Sequence, residues 1–470
     1  MRNFSIQRIL VLPIAMGMLF TSCKRYSSDF GDTNVNPAAT TTPIPAALLT
    51  NVEAGLGGYA ASTRAGLYCQ YFSETQYSDV SLYSIPQLAF EGEYSGSLYD
   101  LQNIINMNKS NNMTQVARIL KAYIFSTLTD RWGDVPYSQA LTGTNKTPAF
   151  DSQEDVYAGC LKELREAVAA FDGSSAITGD VIYKGDVAKW KKMANTLRLR
   201  LAIQLSKRAG SSVKVNPVNE FRDALADAGG TITDNADNFT LVYPGGTYRS
   251  PWWSLYDGRK DYGESNTMTS LMSTLGDGRQ VAFGTSTLGV PYGWSREYVD
   301  PWCSANPSWA RILSDNNRLQ TSGVVIISAA ETHLLRAEAA DRGWTTENMN
   351  ALYQGGIAAS YGQWGLTAAS NYYTNANVAL TNAAGTGANV SKIALQQYIA
   401  AYPDGLRGWN IWRRTGVPTL TPARDALSGR AIPRRYTYGQ TSYASNTAAV
   451  TAAAAAIGGD TQDTKVWWDR

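Results

Sequence analysis

Residues 328–361 read SAAETHLLRAEAADRGWTTENMNALYQGGIAASY, and this stretch decides the fold class. It predicts one helix from Ser328 to Arg342. Gly343 follows as a stop, because glycine takes the left-handed backbone that ends a helix without steric cost. A second helix runs from Glu347 to Tyr361. Two helices with a short glycine-bearing connection cannot each bury an apolar face alone, so such pairs stack on neighbours.

The pair occupies 34 positions, the period of a tetratricopeptide repeat. The full repeat consensus is absent, so the expectation is of repeat-like helix pairs. Upstream stretches agree. Residues 113–131 carry Val116, Ile119, Leu120, Tyr123, Ile124 and Leu128 at spacings of three and four, one face of a helix. That helix stops near Gly133, and Pro136 prevents its continuation. Residues 153–171 begin at a capping-box-like Ser152 and carry a stripe that includes Cys160, read as a small core residue. Residues 187–208 begin after Asp186, with Trp190, Met193, Leu197, Leu201 and Leu205 inward and Lys189, Lys192, Arg200 and Lys207 toward water. Shorter helices are expected around 46–60, 98–108, 217–227, 391–401 and 404–414. These patterns give a mostly α fold class built on repeat-like helix pairs.

The segment of about 229–325 breaks this pattern. Pro244, Pro251, Pro291, Pro301 and Pro307 and nine glycines from Gly245 to Gly293 punctuate it, which marks turns. It also holds Trp252, Trp253, Trp294, Trp302 and Trp309 with six tyrosines. Long loops inside a compact protein are usually functional. Residues 366–390 and 440–464 are weakly patterned and read as loops or surface helices.

The start of the chain gives its destination. Arg2 and Arg8 precede an uncharged, mostly apolar run, Ile9 to Phe20, too short to span a bilayer but suited to a signal peptide. The run ends in Leu19-Phe20-Thr21-Ser22-Cys23, similar to a bacterial lipobox, although Phe20 fits its position imperfectly. The expected organisation is a signal peptide at 1–22, a lipidated tether at 23–35 attached through Cys23, and a single helical domain at 36–470 with the loop-rich insert. Acyl chains contribute about 0.8 kcal/mol per buried methylene, so more than one anchors stably. Lys and Arg number 41 against 39 Asp and Glu; without Arg2 and Arg8 the charges balance at 39 each, which argues against nucleic acid as the partner. Cys69, Cys160 and Cys303 are an odd set with no C-x-x-C spacing, so neither a disulfide framework nor a zinc site is expected.

Separated motifs recur in a fixed order along the chain. They are Phe30-Gly31-Asp32-Thr33-Asn34-Val35-Asn36-Pro37, Asp130-Arg131-Trp132-Gly133-Asp134-Val135-Pro136-Tyr137, Tyr183-Lys184-Gly185-Asp186 with Lys189-Trp190, and Asn195 to Arg200. Further on stand Glu331 to Ala339 with Gly343-Trp344, Trp412-Arg413-Arg414-Thr415-Gly416, Ile432-Pro433-Arg434-Arg435 and Val466-Trp467-Trp468-Asp469. In this order, across nearly all of the chain, the motifs resemble the SusD/RagB family of nutrient-binding lipoproteins. After Tyr438 the family usually has proline and soon a glutamate, where this chain has Gly439 and Ser442. The resemblance implies a mostly α fold in which tetratricopeptide-like helix pairs form a scaffold and long irregular loops carry the binding site, in an outer-membrane, cell-surface protein that binds oligosaccharides, or peptides and glycopeptides in some branches. It implies delivery to a SusC-like, TonB-dependent barrel, and no catalysis.

A sugar ring has an apolar C–H face and an equator of hydroxyls, so its site needs an aromatic plane beside fixed polar groups. Trp252, Trp253, Tyr256, Trp294 and Trp302 are the candidate planes, joined by Tyr77 and Tyr83 from the polar loop 73–97. Asp257, Arg259, Asp261, Arg296 and Asp300 are candidate hydrogen-bond partners. Arg131, Trp132 and Asp134 read as a structural turn, and Arg413-Arg414 and Arg434-Arg435 as interior ion-pairing residues. Trp467-Trp468 should close the core. His333, the sole histidine, reads as packed, which leaves no histidine-rich metal site. No cofactor is expected; Asp234-Asn235-Ala236-Asp237-Asn238 has oxygens for a structural Ca2+ but lacks the glycine and distal glutamate of an EF-hand. The enzymatic alternative is a glycoside hydrolase in which Glu264 or Glu297 pairs with a second carboxylate across a cleft. A third alternative is a scaffold or adhesin whose helical repeats bind only protein.

Overall fold

Side-chain oxygens start the helices of this protein. In the computed structural model, which describes residues 42–84, 87–173 and 175–470, the principal helices are α1 Pro45–Gly55, α2 Thr63–Tyr68, α3 Ser97–Met107, α4 Asn111–Trp132, α5 Gln153–Ala170, α6 Val187–Gln204, α7 Pro217–Ala226, α8 Asn266–Leu275, α9 Arg296–Ala305, α10 Ala329–Asp341, α11 Met349–Gln363, α12 Val390–Ala401 and α13 Gly405–Thr415. Ser110, Ser152, Asp186, Ser328, Asn348 and Asp404 each accept a backbone N–H three residues on, at 2.9–3.3 Å. Each such cap is worth about 1 kcal/mol. The signal peptide, Cys23 and the tether lie outside the described residues. Among the described residues, no helix is long and apolar enough to cross a membrane.

The helices pack largely with their sequence neighbours: α4 on α5, α6 on α7, α10 on α11 and α12 on α13, with α5 on α6 and α10 on α12 linking pairs. This is the paired-helix scaffold expected from the 34-residue stretch. Helix α4 lies inside it. Its predicted stripe of Val116, Ile119, Leu120, Tyr123, Ile124 and Leu128 is buried, and so are Ala117 and Phe125, because α3 and α5 both pack on it. Helix α6 stops at Gln204, and the expected last turn is a 3-10 turn, Ser206–Arg208. Arg200, expected to face water, is instead mostly buried, with its Nε donating to Glu331 at 2.7 Å.

The middle segment is not only loop. It contains α8 and α9 and three of the six short strands among the described residues: β1 Phe72–Glu74, β2 Gln87–Leu88, β3 Phe239–Leu241, β4 Tyr262–Glu264, β5 Val324–Ile327 and β6 Thr437–Tyr438. β1 pairs antiparallel with β4, with Phe72 opposite Glu264 and Glu74 opposite Tyr262. β3 pairs antiparallel with β5 across a bulge at Phe239/Thr240, and β2 runs parallel to β6. The residues 366–390 and 440–464 contain the short helices Ser370–Thr374, Gln440–Ser445 and Thr447–Ala456.

The motif around Trp132 locks a helix end. Gly133 takes φ +87°, and Asp134 accepts the Gln153 N–H at 2.9 Å, fastening the start of α5. Trp132 Nε1 is shared between the carbonyls of Leu88 and Thr437, at 3.0 and 3.2 Å. Asp130, buried, accepts from Tyr157, Asn410 and Trp468. Trp468 therefore closes the core, as expected. Arg413, Arg414 and Arg435 are interior: Arg414 pairs with Glu338 and Arg435 with Asp460. Cys160 is buried, and His333 is half-buried with Nε2 3.1 Å from the Thr233 carbonyl.

Candidate ligand-binding surface

Strand β1 hands the chain to a loop that is fastened twice. Buried Glu74 accepts both the N–H and the hydroxyl of Ser81 at 2.8 Å, closing the loop on itself. On the other side Thr75 N–H donates to the Asp261 carbonyl at 2.9 Å, and Gln76 Nε2 to the Asp261 carboxylate at 2.6 Å. Tyr77 is held between these ties with 51% of its surface exposed. The guanidinium carbons of Arg296 and Arg259 stand 5.4 and 5.9 Å from its ring centre. Arg259 is in turn paired with Asp261.

Tyr256 forms the floor beside it. Its hydroxyl donates to the Tyr262 carbonyl at 2.9 Å and accepts the Ile312 N–H at 2.8 Å, while Arg318 covers the ring at 4.5 Å. Gln76, Tyr77, Tyr256, Gly258, Arg259 and Asp261 together line an open depression. Further along, Trp294 precedes α9 and Tyr298, 49% exposed, lies in its first turn. Arg424 stands 4.4 Å from the centre of each ring. Arg424 pairs with Asp425 at 2.7 Å, and Asp425 accepts the Ser295 N–H at 2.7 Å. The hydrogen bond from Arg424, helped by that N–H, brings the Asp425 carboxyl down to about 2 against partial burial, so it is ionised at neutral pH.

Two other candidates are half-buried. Trp253 faces Arg249 at 4.5 Å, and Trp302 packs on a satellite core of Val290, Val299 and Trp309. Two candidate planes are not at the surface. Tyr83 is 0% exposed, because a positive φ of 63° turns it inward, where its hydroxyl accepts the Ala423 N–H at 2.9 Å. Trp252 is 3% exposed and packs edge-on against Phe72. Successive residues of the short helix Pro251–Ser254 point about 100° apart, so Trp252 goes in while Trp253 stays half out. Trp252 lines an internal cavity of about 320 Å³. Arg424 was not visible as a site residue in the sequence, since nothing local relates it to Trp294, 130 positions earlier.

The remaining acidic candidates are arranged differently from a hydrolase pair. Glu264 is fully buried on β4, accepts Gln280 Nε2 at 2.8 Å and is pushed by burial up to about 8. Glu297 is exposed on α9. In the stretch 234–238, Asp237 pairs with Lys192 at 2.6 Å, and Asp234 and Asn238 accept the N–H groups of Ala236 and Ala329, so these oxygens already serve protein donors.

The helical scaffold thus presents half-exposed aromatic rings beside paired guanidinium and carboxylate groups, a combination found in ligand sites. The model of the SusD-like family described as starch-binding and associating with the outer membrane matches residues 36–439, and the chain belongs to that family. Among solved structures, a chitin-binding SusD homologue from Flavobacterium johnsoniae is 26% identical, with a TM-score of 0.79 over 91% of this chain and 98% of that one. A SusD homologue from Bacteroides fragilis is 25% identical, with a TM-score of 0.78 over 91% and 100%. A SusD homologue from Bacteroides uniformis, 24% identical, shares the fold at a TM-score of 0.80 over 91% and 99%. No curated protein matches the chain.

Proposed function

We propose that the protein is a lipid-anchored binding protein of the cell surface. It takes oligosaccharides on the surface around Tyr77, Trp294 and Tyr298 and passes them to a TonB-dependent outer-membrane barrel. The observation that carries this reading is the placement of half-exposed tyrosine rings, on two separate elements, beside arginines whose donors can meet hydroxyl pairs. The family's description as starch-binding and the chitin-binding neighbour support a glycan as the ligand. The anchor rests on Cys23 after its apolar leader. The barrel rests on the family likeness.

Calorimetric titration of chitin and starch oligosaccharides, with peptides as a parallel arm, tests the site. Tyr77→Ala combined with Tyr298→Ala should weaken oligosaccharide binding at least tenfold while the melting temperature stays within a few degrees. Unchanged affinity in the folded double variant, or binding of peptides alone, refutes the reading. Cys23→Ser should release the protein from the membrane fraction. Affinity purification of the anchored protein should bring down an outer-membrane barrel.

A further inference from the structure

The arginines set on these rings are neutralised in place. Arg249 stands 4.5 Å from the centre of Trp253 and pairs with Asp257 at 2.9 Å. Arg259 stands 5.9 Å from that of Tyr77 and pairs with Asp261 at 2.5 Å. Arg318 covers Tyr256 and pairs with Asp315. Arg424, between Trp294 and Tyr298, pairs with Asp425 at 2.7 Å. Each of these four guanidiniums thus carries an aspartate no more than eight positions away in sequence.

The pairing occupies the edge of Arg424 that would otherwise select an acid. Two donors of a guanidinium form a fork that matches the two oxygens of a carboxylate. In Arg424 both prongs are taken: Nε donates to Asp425 Oδ1 at 2.9 Å and Nη2 to Oδ2 at 2.7 Å. Nη1 makes no hydrogen bond among the described residues and is left for a single acceptor, such as a hydroxyl. Asp425 is held on both sides. It accepts the Ser295 N–H, and its own N–H donates to the Gly293 carbonyl at 3.0 Å, so it cannot swing away without freeing the stretch that carries Trp294.

The other charges in the stretches that form this surface cancel. Outside the pairs stand Lys260 and Arg296 against Asp79 and Glu297, all exposed. Glu74 is buried at the base of the loop, where burial raises it to about 7, and any charge it carries is negative. No excess of positive charge is left to draw an anion to the rings.

We propose that Asp425 and Asp257 are specificity-determining residues: by cancelling the ring-stacked arginines they make the surface accept neutral oligosaccharides and refuse chains that carry carboxylates. This rests on the reading of the surface as an oligosaccharide site.

The test uses the full chain in detergent, titrated calorimetrically with starch and chitin oligosaccharides and with the same chains oxidised at C6 to carry carboxylates. The unaltered protein should bind the neutral chain at least tenfold more tightly than its oxidised form. Asp425→Asn keeps the shape and an acceptor for Ser295 while removing the charge. It should shift the ratio of the two affinities at least tenfold toward the oxidised chain, and added salt should erase that gain. Asp257→Asn should shift the ratio in the same direction. A purely structural role for the aspartates would weaken both chains alike and leave the ratio and its salt dependence unmoved. Iodide quenching of tryptophan fluorescence reads the same charge without any sugar. It should rise in Asp425→Asn and should not rise when Trp294→Phe is added. If no oligosaccharide binds the unaltered protein, the surface reading fails, and the quenching alone decides the role of the aspartates. Should Asp425→Asn not fold, Asp257→Asn beside Trp253 decides both readouts. The inference is overturned by equal binding of neutral and oxidised chains to the unaltered protein, by a ratio that the folded variants leave unmoved, or by quenching that they leave unchanged.

Discussion

Arg414 and Glu338 meet with both side chains sealed from solvent. Arg414 Nη2 and Gln397 Nε2 each donate to one carboxylate oxygen at 2.8 Å, and Arg342 Nε reaches the other at 2.8 Å. Burial alone would raise this carboxyl. Arg414, and after it Arg342, outweigh burial and hold it down at about 2. Removing one partner of such a pair strands a buried charge, which costs about 3–5 kcal/mol. Arg414→Met should therefore lower the urea-unfolding free energy by about that much. Adding Glu338→Met should cost less than the sum of the two single changes; simple additivity would show that the two do not act as a pair. The interior place of this arginine was legible, because Arg413 and Arg414 lie in a helical stretch rich in tryptophan. The difference between Tyr77 and Tyr83 was not. Both stand in one polar loop, and what separates them is a left-handed backbone at Tyr83 and the ties from Glu74 and Asp261, none of which leaves a local pattern.

Helices α2 and α13 cross backbone to backbone. A Cβ placed on Gly405 would lie 2.3 Å from the Gly66 nitrogen, and one on Gly66 would lie 2.2 Å from the Phe72 ring. Gly405→Ala must push the two helices apart and should cost about 1–3 kcal/mol, as overpacking does. Gly355, inside α11, has only ordinary contact distances around such an atom. Gly355→Ala should raise stability by up to about 1 kcal/mol, since alanine restricts the unfolded chain and favours the helix. Thermal unfolding of the two variants, measured side by side, checks the opposite signs. The long helices could be read in advance to within a few residues, because a stripe repeated over four or five turns is a strong signal. The strands could not. With two to four residues each they carry no period, and β1 finds its partner almost two hundred positions away.

Across the whole molecule, buried acids set the response to pH. Burial is the leading cause that raises Glu53 to about 9, Glu264 to about 8, and Glu74 and Asp404 to about 7. Each binds a proton more tightly folded than unfolded, so each subtracts stability as pH climbs from about 4 toward its folded value. Glu338 and Asp425, held near 2, act the other way, and their contribution is complete once pH passes about 5. The unfolding free energy should accordingly peak near pH 5 and decline toward pH 8, and Glu74→Gln should flatten part of the decline. Urea midpoints at pH 5, 6.5 and 8 check this; a midpoint that rises steadily with pH would contradict it. The surface around Tyr77 and Trp294 draws on residues 74–81, 256–261, 294–298 and 424–425, brought side by side only by the folded chain. A graft of any one of these loops onto a foreign framework would carry rings without their guanidinium neighbours. On the proposed reading of this surface, retuning it toward a new ligand calls for concerted changes in stretches hundreds of positions apart, and a library confined to a single loop would explore only a fragment of the recognition chemistry.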